Sequence, residues 1–258
     1  MESNNTTSNG KQYDAGTAPE VSVVIPAYNE SHHIPKILQA IDNFFHIRNL
    51  SREIILVNDG SHDNTEQIAL SFRDSIAGLT VLGNDRNRGK GFSVRKGMLK
   101  ASGSLILMTD ADQSSPIEEF DKLLPPVRNG HTDIAIGSRA LKNSEIIVHQ
   151  PFYREPLGYL YNDFIQLLIL KGIEDTQCGF KLFRREVARD VFSRVTVNGF
   201  AFDVEALHVA KKLGYRITEV PIQWRNDPDT RVKLIRHGTK MLIDLLRIRW
   251  NSWRGMYK

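Results

Sequence analysis

The sequence predicts an α/β fold, a mostly parallel sheet covered by helices on both faces. Short β-branched runs alternate with stretches of helical period along the chain. Polar and charged groups follow several of these runs, as they do where strands end at the ligand-binding edge of such a sheet. The 258 residues, 41% apolar and 25% charged, suit one large α/β domain or two small ones, with a sizeable core.

The elements follow in order. Residues 1–20 are rich in Ser, Thr, Asn and Gly and read as a disordered leader. Strands are expected at Val21–Ile25, Glu53–Asn58, Thr80–Leu82, Leu105–Thr109, Ile134–Gly137 and Arg216–Val220. Helical periods lie between them at Ile34–Phe45, Asn64–Arg73, Phe92–Ala101 and Ile117–Val127, and later at Glu186–Val195 and Asp203–Lys212. The domain is expected to span 21–230, with a basic amphipathic helix over 231–258. Those last 28 residues hold eight basic side chains and one acid, Asp244; that is +7, leaving −3 of the overall +4 for the rest.

Several classes drop out. The single cysteine, Cys178, excludes an internal disulfide framework and a Cys-rich zinc site, fits a reducing compartment, and reads as a buried small side chain. The leader has no apolar core of a secretory signal. No run approaches the ~18–20 apolar residues of a spanning helix, so a soluble or peripheral protein is expected. There is no GxxxxGK[ST] loop, no GxGxxG after the first strand, and no GxSxG or HExxH. The basic tail calls for an anionic partner, either a lipid surface or nucleic acid. Nucleic acid is set aside because RNP-type aromatics and a recognition-helix pattern are missing.

The residues that could carry chemistry cluster after the strands. Asp110 and Asp112 alternate at the end of SLILMTDAD. Two such carboxylates can reach one hard divalent cation completed by phosphate and water, or can simply form a turn. Asp59 ends EIILVND and can accept from a ribose hydroxyl or a base N–H, or cap the helix near Asp63. Glu30, beside Tyr28, can sit on a nucleotide or start the first helix. Asn87-Arg88-Gly89-Lys90-Gly91 is a Gly-rich basic loop that can approach phosphate at a helix start, or be a solvated turn. His32 and His33 read as surface residues.

Together these pieces resemble the inverting glycosyltransferases of family 2. The resemblance runs in unbroken order through VSVVIPAYNE (21–30), IILVNDGSHDNT (54–65), NRGKG (87–91), MTDADQSSP (108–116), IAIGSR (134–139), DTQCGFKLFRRE (175–186) and FAFDVE (200–205). DTQCGFKLF, NRGKGFSVRKGM and the basic Trp-bearing end look like the dolichyl-phosphate β-glucosyltransferases, with the dolichyl-phosphate mannose synthases as near relatives. The resemblance implies a GT-A fold, a nucleotide-sugar donor, a dolichyl or polyprenyl phosphate acceptor, and Mg²⁺ or Mn²⁺. It places Pro26, Ala27, Tyr28, Glu30, Asp59, Lys90 and Asp110 with the donor, and Asp110 and Asp112 on the metal. Arg139, Arg154 and Lys181 fall at the acceptor phosphate, and Asp112, Arg139 and Arg154 at the transfer itself. Many members read DADLQHP; here DADQSSP brings Gln113 to three residues after Asp110, so only the two aspartates are carried over as ligands.

The implied reaction transfers a hexose with inversion, glucose from UDP-glucose, or alternatively mannose from GDP-mannose. A family 2 enzyme acting on a sugar hydroxyl would instead need a carboxylate base. Asp203 and Glu205 could supply one, or could be a helix-start pair favoured by the macrodipole. Human- and yeast-type members carry an N-terminal membrane helix, and residues 1–20 do not read as one. The chain is therefore expected at the cytosolic face of a membrane, held peripherally through its last helix and the apolar segment Leu157–Leu170. In that helix Leu234, Gly238, Met241, Leu245 and Ile248 form one apolar line, and Leu242, Leu246, Trp250 and Trp253 an adjoining one. The competing expectation is that this side packs on the sheet.

Overall fold

The computed structural model describes residues 18–148, 154–227 and 234–258, except for the side chains of 154–157, 159 and 234–237. Residues 1–17, most of the expected leader, and the junction 228–233 lie outside the described residues.

The strand β1 (Val21–Ala27) is VSVVIPA and is buried at every position, which places it at the centre of a sheet covered on both faces. It pairs in parallel with β2 (Arg52–Asn58) on one side and β4 (Leu105–Met108) on the other. β3 (Leu79–Gly83) extends β2 in parallel. The seven strands run in the order β3-β2-β1-β4-β7-β5-β8. Because the order reverses after β3, a crevice opens above the carboxyl ends of β1 and β4, the switch point where such sheets bind ligands.

All six expected strands form, with ends shifted by one or two residues; β5 is Ile134–Ser138 and β8 is Ile217–Pro221. Three strands are additional: β6 (Glu145–Val148), β7 (Lys181–Arg184) and β9 (Gln223–Arg225). β6 and β9 form a separate two-stranded ribbon. β7 is antiparallel to both β4 and β5, pairing Lys181 with Met108 and with Ile136. Its antiparallel course brings the preceding 175–180 segment to the same edge as the end of β4.

Helices cover both faces. On one face lie α1 (Ile34–Ile47), α2 (Thr65–Ser71) and α4 (Phe120–Arg128, after a 3₁₀ turn at Ile117–Glu119). α1 buries Ile34, Ile37, Leu38, Ile41, Phe44 and Phe45 at helical spacing, and Phe44, Phe45 and Phe120 pack edge to face. Each fully buried side chain of this size contributes about 1.5–3 kcal/mol.

The other face carries α3 (Lys90–Lys100), α5 (Arg154–Leu168), α6 (Arg185–Arg194), α7 (Phe202–Lys212) and α8 (Leu234–Trp253). α8 divides the two expectations for the tail between its sides. Leu245 and Ile248 are buried in the core, whereas Leu242, Leu246, Trp250 and Trp253 are exposed. Beyond α8, Tyr257 is buried and donates its hydroxyl to Glu205 Oε1 (2.6 Å), so the end of the chain is pinned to α7.

Candidate active site

Two loops meet above β1 and β2. After buried Pro26 and Ala27 the chain turns at Tyr28, with Asn29 in the left-handed region (φ 54°), which asparagine tolerates. The N–H groups of Asn29, Glu30 and Ser31 donate to Ser61 Oγ (2.9 Å), Thr65 Oγ1 (2.8 Å) and Asp63 Oδ2 (3.2 Å). In return the His62 N–H donates to Asn29 Oδ1 (2.9 Å). The polar run after β2 thus fixes the first loop, and the Tyr28 ring stands edge-on to His62.

Asp59 is buried and fixes a third loop. Its Oδ1 accepts from Asn84 Nδ2 (2.8 Å) and the Arg88 N–H (2.9 Å), and its Oδ2 from the Gly89 N–H (2.9 Å). Gly89 has φ 104°, and a Cβ there would lie 2.3 Å from Asn198 O, so only glycine passes this point. The next residue, Lys90, starts α3 and sets its ammonium 2.6 Å from Asp110 Oδ1.

Asp110 and Asp112 follow β4, where the chain turns at Ala111 and Asp112. Asp112 Oδ1 accepts the Ser114 N–H (2.8 Å). Burial first, and then the charge of Asp110, hold the Asp112 carboxyl above the usual carboxylate range; such a group is more readily ionised beside a cation. Asp110 meets Lys90 through Oδ1, and Asp112 meets the Ser114 N–H through Oδ1. Gly179 makes room for the pair, since a Cβ on it would fall 2.0 Å from Asp110 Oδ2. Burial alone would lower the Lys90 pKa, but Asp110 and Asp203 outweigh it and keep the ammonium charged. Two hard carboxylate oxygens, with no third His, Cys, Asp or Glu grouped with them among the described residues, fit a divalent cation that takes its remaining ligands from a diphosphate and water.

Beneath this pair, Lys181 is buried and donates to Asp203 Oδ1 (2.5 Å) and Cys178 O (2.5 Å). Asp203 thereby connects α7 to the first residue of β7. Arg139 follows β5 and forms a two-pronged ion pair with Asp175, Nε to Oδ2 (2.7 Å) and Nη2 to Oδ1 (2.8 Å). Its guanidinium also lies over the Trp224 ring, 5.2 Å from the centroid. Burial would raise the Asp175 pKa, but Arg139 outweighs it and holds the carboxyl below its ordinary value. Arg154 opens α5, and its side chain lies outside the described residues. Cys178 is buried as expected, and burial pushes its thiol up to about 11, which removes it as a nucleophile near neutral pH.

His33 corrects an expectation. His32 is exposed, but His33 is half-buried, with Nδ1 2.6 Å from Glu30 Oε2 and Nε2 3.5 Å from Asp227 Oδ2. It borders a cavity of about 200 Å³ together with Lys36, Asp112, Gln113, Arg225 and Asp227. Gln113 sits there with φ 55° and a buried amide nitrogen that has no hydrogen-bond partner among the described residues. Asp175, Trp224 and Asp227 also border the site, and no local pattern in the sequence marks them. Asp175 pairs with Arg139 across 36 residues, a separation that carries no local signal.

One prediction belongs to the Arg139 pair. Arg139→Lys keeps the charge and loses the fork, and is expected to cost about 1–2 kcal/mol of stability. Because the Asp175 pKa is depressed in the fold, the pair's contribution is present above about pH 4 and is lost as pH falls through the depressed value. Thermal melts at pH 7 and pH 3 check this: the gap between the parent and the variant should shrink in acid.

Residues 22–192 match the family described as glycosyl transferase family 2. The chain is 34% identical over 249 residues to a dolichyl-phosphate β-glucosyltransferase of Dictyostelium discoideum, covering 92% of this chain and 76% of that protein. It is 34% identical over 255 residues to the Homo sapiens dolichyl-phosphate β-glucosyltransferase, covering 93% and 78%. Among solved structures, mannosyl-3-phosphoglycerate synthase from Rubrobacter xylanophilus superposes with a TM-score of 0.67 at 20% identity, covering 92% of this chain and 75% of that one. Glucosyl-3-phosphoglycerate synthase from Mycobacterium tuberculosis, crystallised with Mn²⁺ and UDP-glucose, gives 0.66 at 18% identity, covering 90% and 79%. These structures share the GT-A fold. The chain is a glycosyltransferase and belongs to glycosyl transferase family 2, in the branch of its dolichyl-phosphate β-glucosyltransferase relatives.

Proposed function

We propose that this enzyme moves glucose from UDP-glucose to a dolichyl or polyprenyl phosphate, with inversion and with Mg²⁺ or Mn²⁺. The observation that carries the reading is the Asp110–Asp112 pair with Lys90 at the switch point of the sheet, in a chain 34% identical to dolichyl-phosphate β-glucosyltransferases over most of its length. Asp110 and Asp112 would hold the cation, which when bound neutralises the leaving diphosphate. Pro26, Ala27, Tyr28, Glu30 and Asp59 line the nucleoside side, and Lys90 adds a fixed positive charge next to the carboxylates.

The acceptor is a phosphate monoester, mostly dianionic at neutral pH because its second pKa is about 6. One of its oxygens forms the bond to the anomeric carbon as the bond to the donor β-phosphate oxygen breaks, and that electron pair leaves with UDP. No proton has to be removed, so the protein's task is placement. Arg139, steadied by Asp175 and Trp224, and Arg154 are assigned to the acceptor phosphate, and Lys181 supports that side by fixing Asp203. The tied carboxylate of Glu205 favours this acceptor over a sugar hydroxyl, which would need a free base.

The test is lipid extraction after incubation with labelled UDP-glucose, Mg²⁺ or Mn²⁺, and polyprenyl phosphate. Label in the lipid from UDP-glucose supports the reading, and label from GDP-mannose alone rejects the donor.

A membrane surface completes the picture. No helix among the described residues is long and apolar enough to cross a membrane. α5 and α8 pack together; α8 exposes Ile243, Leu246, Trp250 and Trp253, and α5 exposes Leu160, Phe164 and Leu167. Exposed Lys240, Arg247 and Arg249 lie on the same helix. Tryptophan and an apolar face flanked by cations suit the headgroup boundary of the cytosolic leaflet, with about 1 kcal/mol from each well-placed basic residue on an anionic surface. The protein is expected to float with phosphatidylserine-containing vesicles at low salt. Leu246→Ser/Trp250→Ser, both at exposed positions, should largely abolish flotation while leaving the melting temperature within a few degrees. Undiminished flotation of that variant removes the surface from consideration.

A further inference from the structure

A buried imidazole marks the corner where α5, α7 and α8 end together. His208 of α7 has Nδ1 3.1 Å from the Ile169 carbonyl, just past α5, and Nε2 2.8 Å from Ser252 Oγ near the end of α8. The ring also stands edge-on to Tyr257, 5.9 Å between centroids. Burial first, with Lys212, Arg249 and Lys211 acting in the same direction, outweighs the Ile169 carbonyl and holds the imidazole below its ordinary pKa. Cations from α7 and α8 are thus gathered round one point.

The lysines are fixed there, and no carboxylate answers them. Lys212 Nζ donates to Ser252 O (3.2 Å), and Lys211 Nζ to Lys171 O (2.6 Å). An ammonium carries three protons, so one carbonyl does not exhaust it. Lys171, Lys211, Lys212 and Arg249 are all exposed, and none is in an ion pair among the described residues. The α7 macrodipole favours Lys211 and Lys212 at its carboxyl end; Lys171 and Arg249 arrive from other elements. Trp253 follows Ser252 and is 77% exposed, with its ring 5.3 Å from that of Trp250, and Leu167, one turn before Lys171, is 74% exposed. The cluster therefore borders the apolar outer face of α5 and α8. It stands at the far end of α7 from Asp203, about 13 Å along the helix axis, and so apart from the Lys181–Asp203 pair beneath the transfer site.

We propose that this corner binds the phosphomonoester of a phosphorylated inositol lipid, at a place separate from the one that takes the acceptor. At neutral pH a phosphomonoester brings nearly two negative charges and three acceptor oxygens, which matches cations fixed round one point. Trp250, Trp253 and Leu167 enter the headgroup boundary beside it, and this apolar border selects a lipid over a free polyanion. Phosphatidylserine fits less well, because its net charge is single and its own ammonium would meet Lys211 and Lys212. The inference rests on the membrane reading above and names the lipid that this surface prefers.

The test uses the full chain with phosphatidylcholine vesicles that carry either phosphatidylinositol 4-phosphate or phosphatidylserine at matched surface charge. Lys211→Gln/Lys212→Gln removes both charges and keeps side-chain N–H groups for the two carbonyls. The parent is expected to favour the inositol lipid about tenfold. The double variant should bind that lipid about thirtyfold more weakly, the loss of two well-placed cations at a charged surface. Its melting temperature should stay within a few degrees, and its hexose transfer to detergent-dispersed polyprenyl phosphate should be unchanged. Inositol 1,4-bisphosphate should also raise the His208 pKa toward the ordinary value in an NMR titration of the parent, since an anion there offsets the cations that lower it. Equal binding of the parent to the two vesicles, undiminished binding by the double variant, or an unmoved His208 overturns the site while the membrane surface stands. Loss of transfer to the dispersed acceptor in the double variant puts these lysines on the acceptor side and overturns it too. If the parent binds inositol 1,4-bisphosphate with the His208 shift yet floats with neither vesicle, the site stands and the membrane reading fails.

Discussion

Asp112→Ala is expected to lower hexosyl transfer by about 10³-fold or more, the scale on which losing one group that offsets transition-state charge is felt. The carboxylate lies next to Asp110 in a buried setting that already disfavours its charge, so its retention there is costly without a cation to meet. Among the described residues it is tied through Ser114, whose N–H donates to Oδ1, and the fold should survive with an unchanged circular dichroism spectrum. Gly179→Ala provides a companion that removes no charge. Its methyl would start 2.0 Å from Asp110 Oδ2, so Asp110 must swing away, and transfer should fall in the same direction, with weaker Mn²⁺ binding read by paramagnetic relaxation. Parental turnover by Asp112→Ala, or undiminished turnover in EDTA, would defeat the metal role of the pair.

The parts of this site that were legible in the sequence are those made within one short segment. Asp110 and Asp112 stand on alternate residues after an apolar run, and PAYNE and NDGS follow their strands directly. Local chain order places them at the sheet edge once the strands are parallel. The alternation of period two and period 3.6 was enough for six strands and their covering helices, because β1, β2 and β5 are buried nearly throughout.

What stayed hidden depends on pairing across distance. β7 is only KLFR, charged at both ends, and it becomes a strand because β4 and β5 each leave an edge for it. Its antiparallel insertion brings Asp175, Gly179 and Lys181 to the site. The Arg139–Asp175 and Lys181–Asp203 pairs are likewise closures between elements far apart in the chain. For α8, helical period drew both apolar lines, but the period cannot say which line meets the core. Packing against α7 and α5 chose Leu245 and Ile248, leaving Leu246, Trp250 and Trp253 outside.

Glu205 separates the two acceptor chemistries through stability. The residue is completely buried, and its carboxylate accepts four hydrogen bonds: from the Thr196 N–H (2.8 Å), Thr196 Oγ1 (2.8 Å), the Val197 N–H (2.7 Å) and the Tyr257 hydroxyl (2.6 Å). Oε1 and Oε2 each take two donors, so neither is left to receive a proton from a substrate. The same bonds tie the start of α7 to the loop after α6 and to the end of the chain. In Glu205→Gln one oxygen becomes an NH₂ group facing donors, and at least one of them loses its partner inside the core. The expected cost is about 3 kcal/mol, which for a chain of this size lowers the melting temperature by roughly 6–12 °C. Turnover per folded molecule, measured well below that melting temperature, should stay within a few-fold of the parent, because the phosphate acceptor brings its own charged oxygen. A general base would show the opposite pattern: little change in melting and a loss of 10²-fold or more in kcat. That pattern would move the acceptor from a phosphate to a hydroxyl.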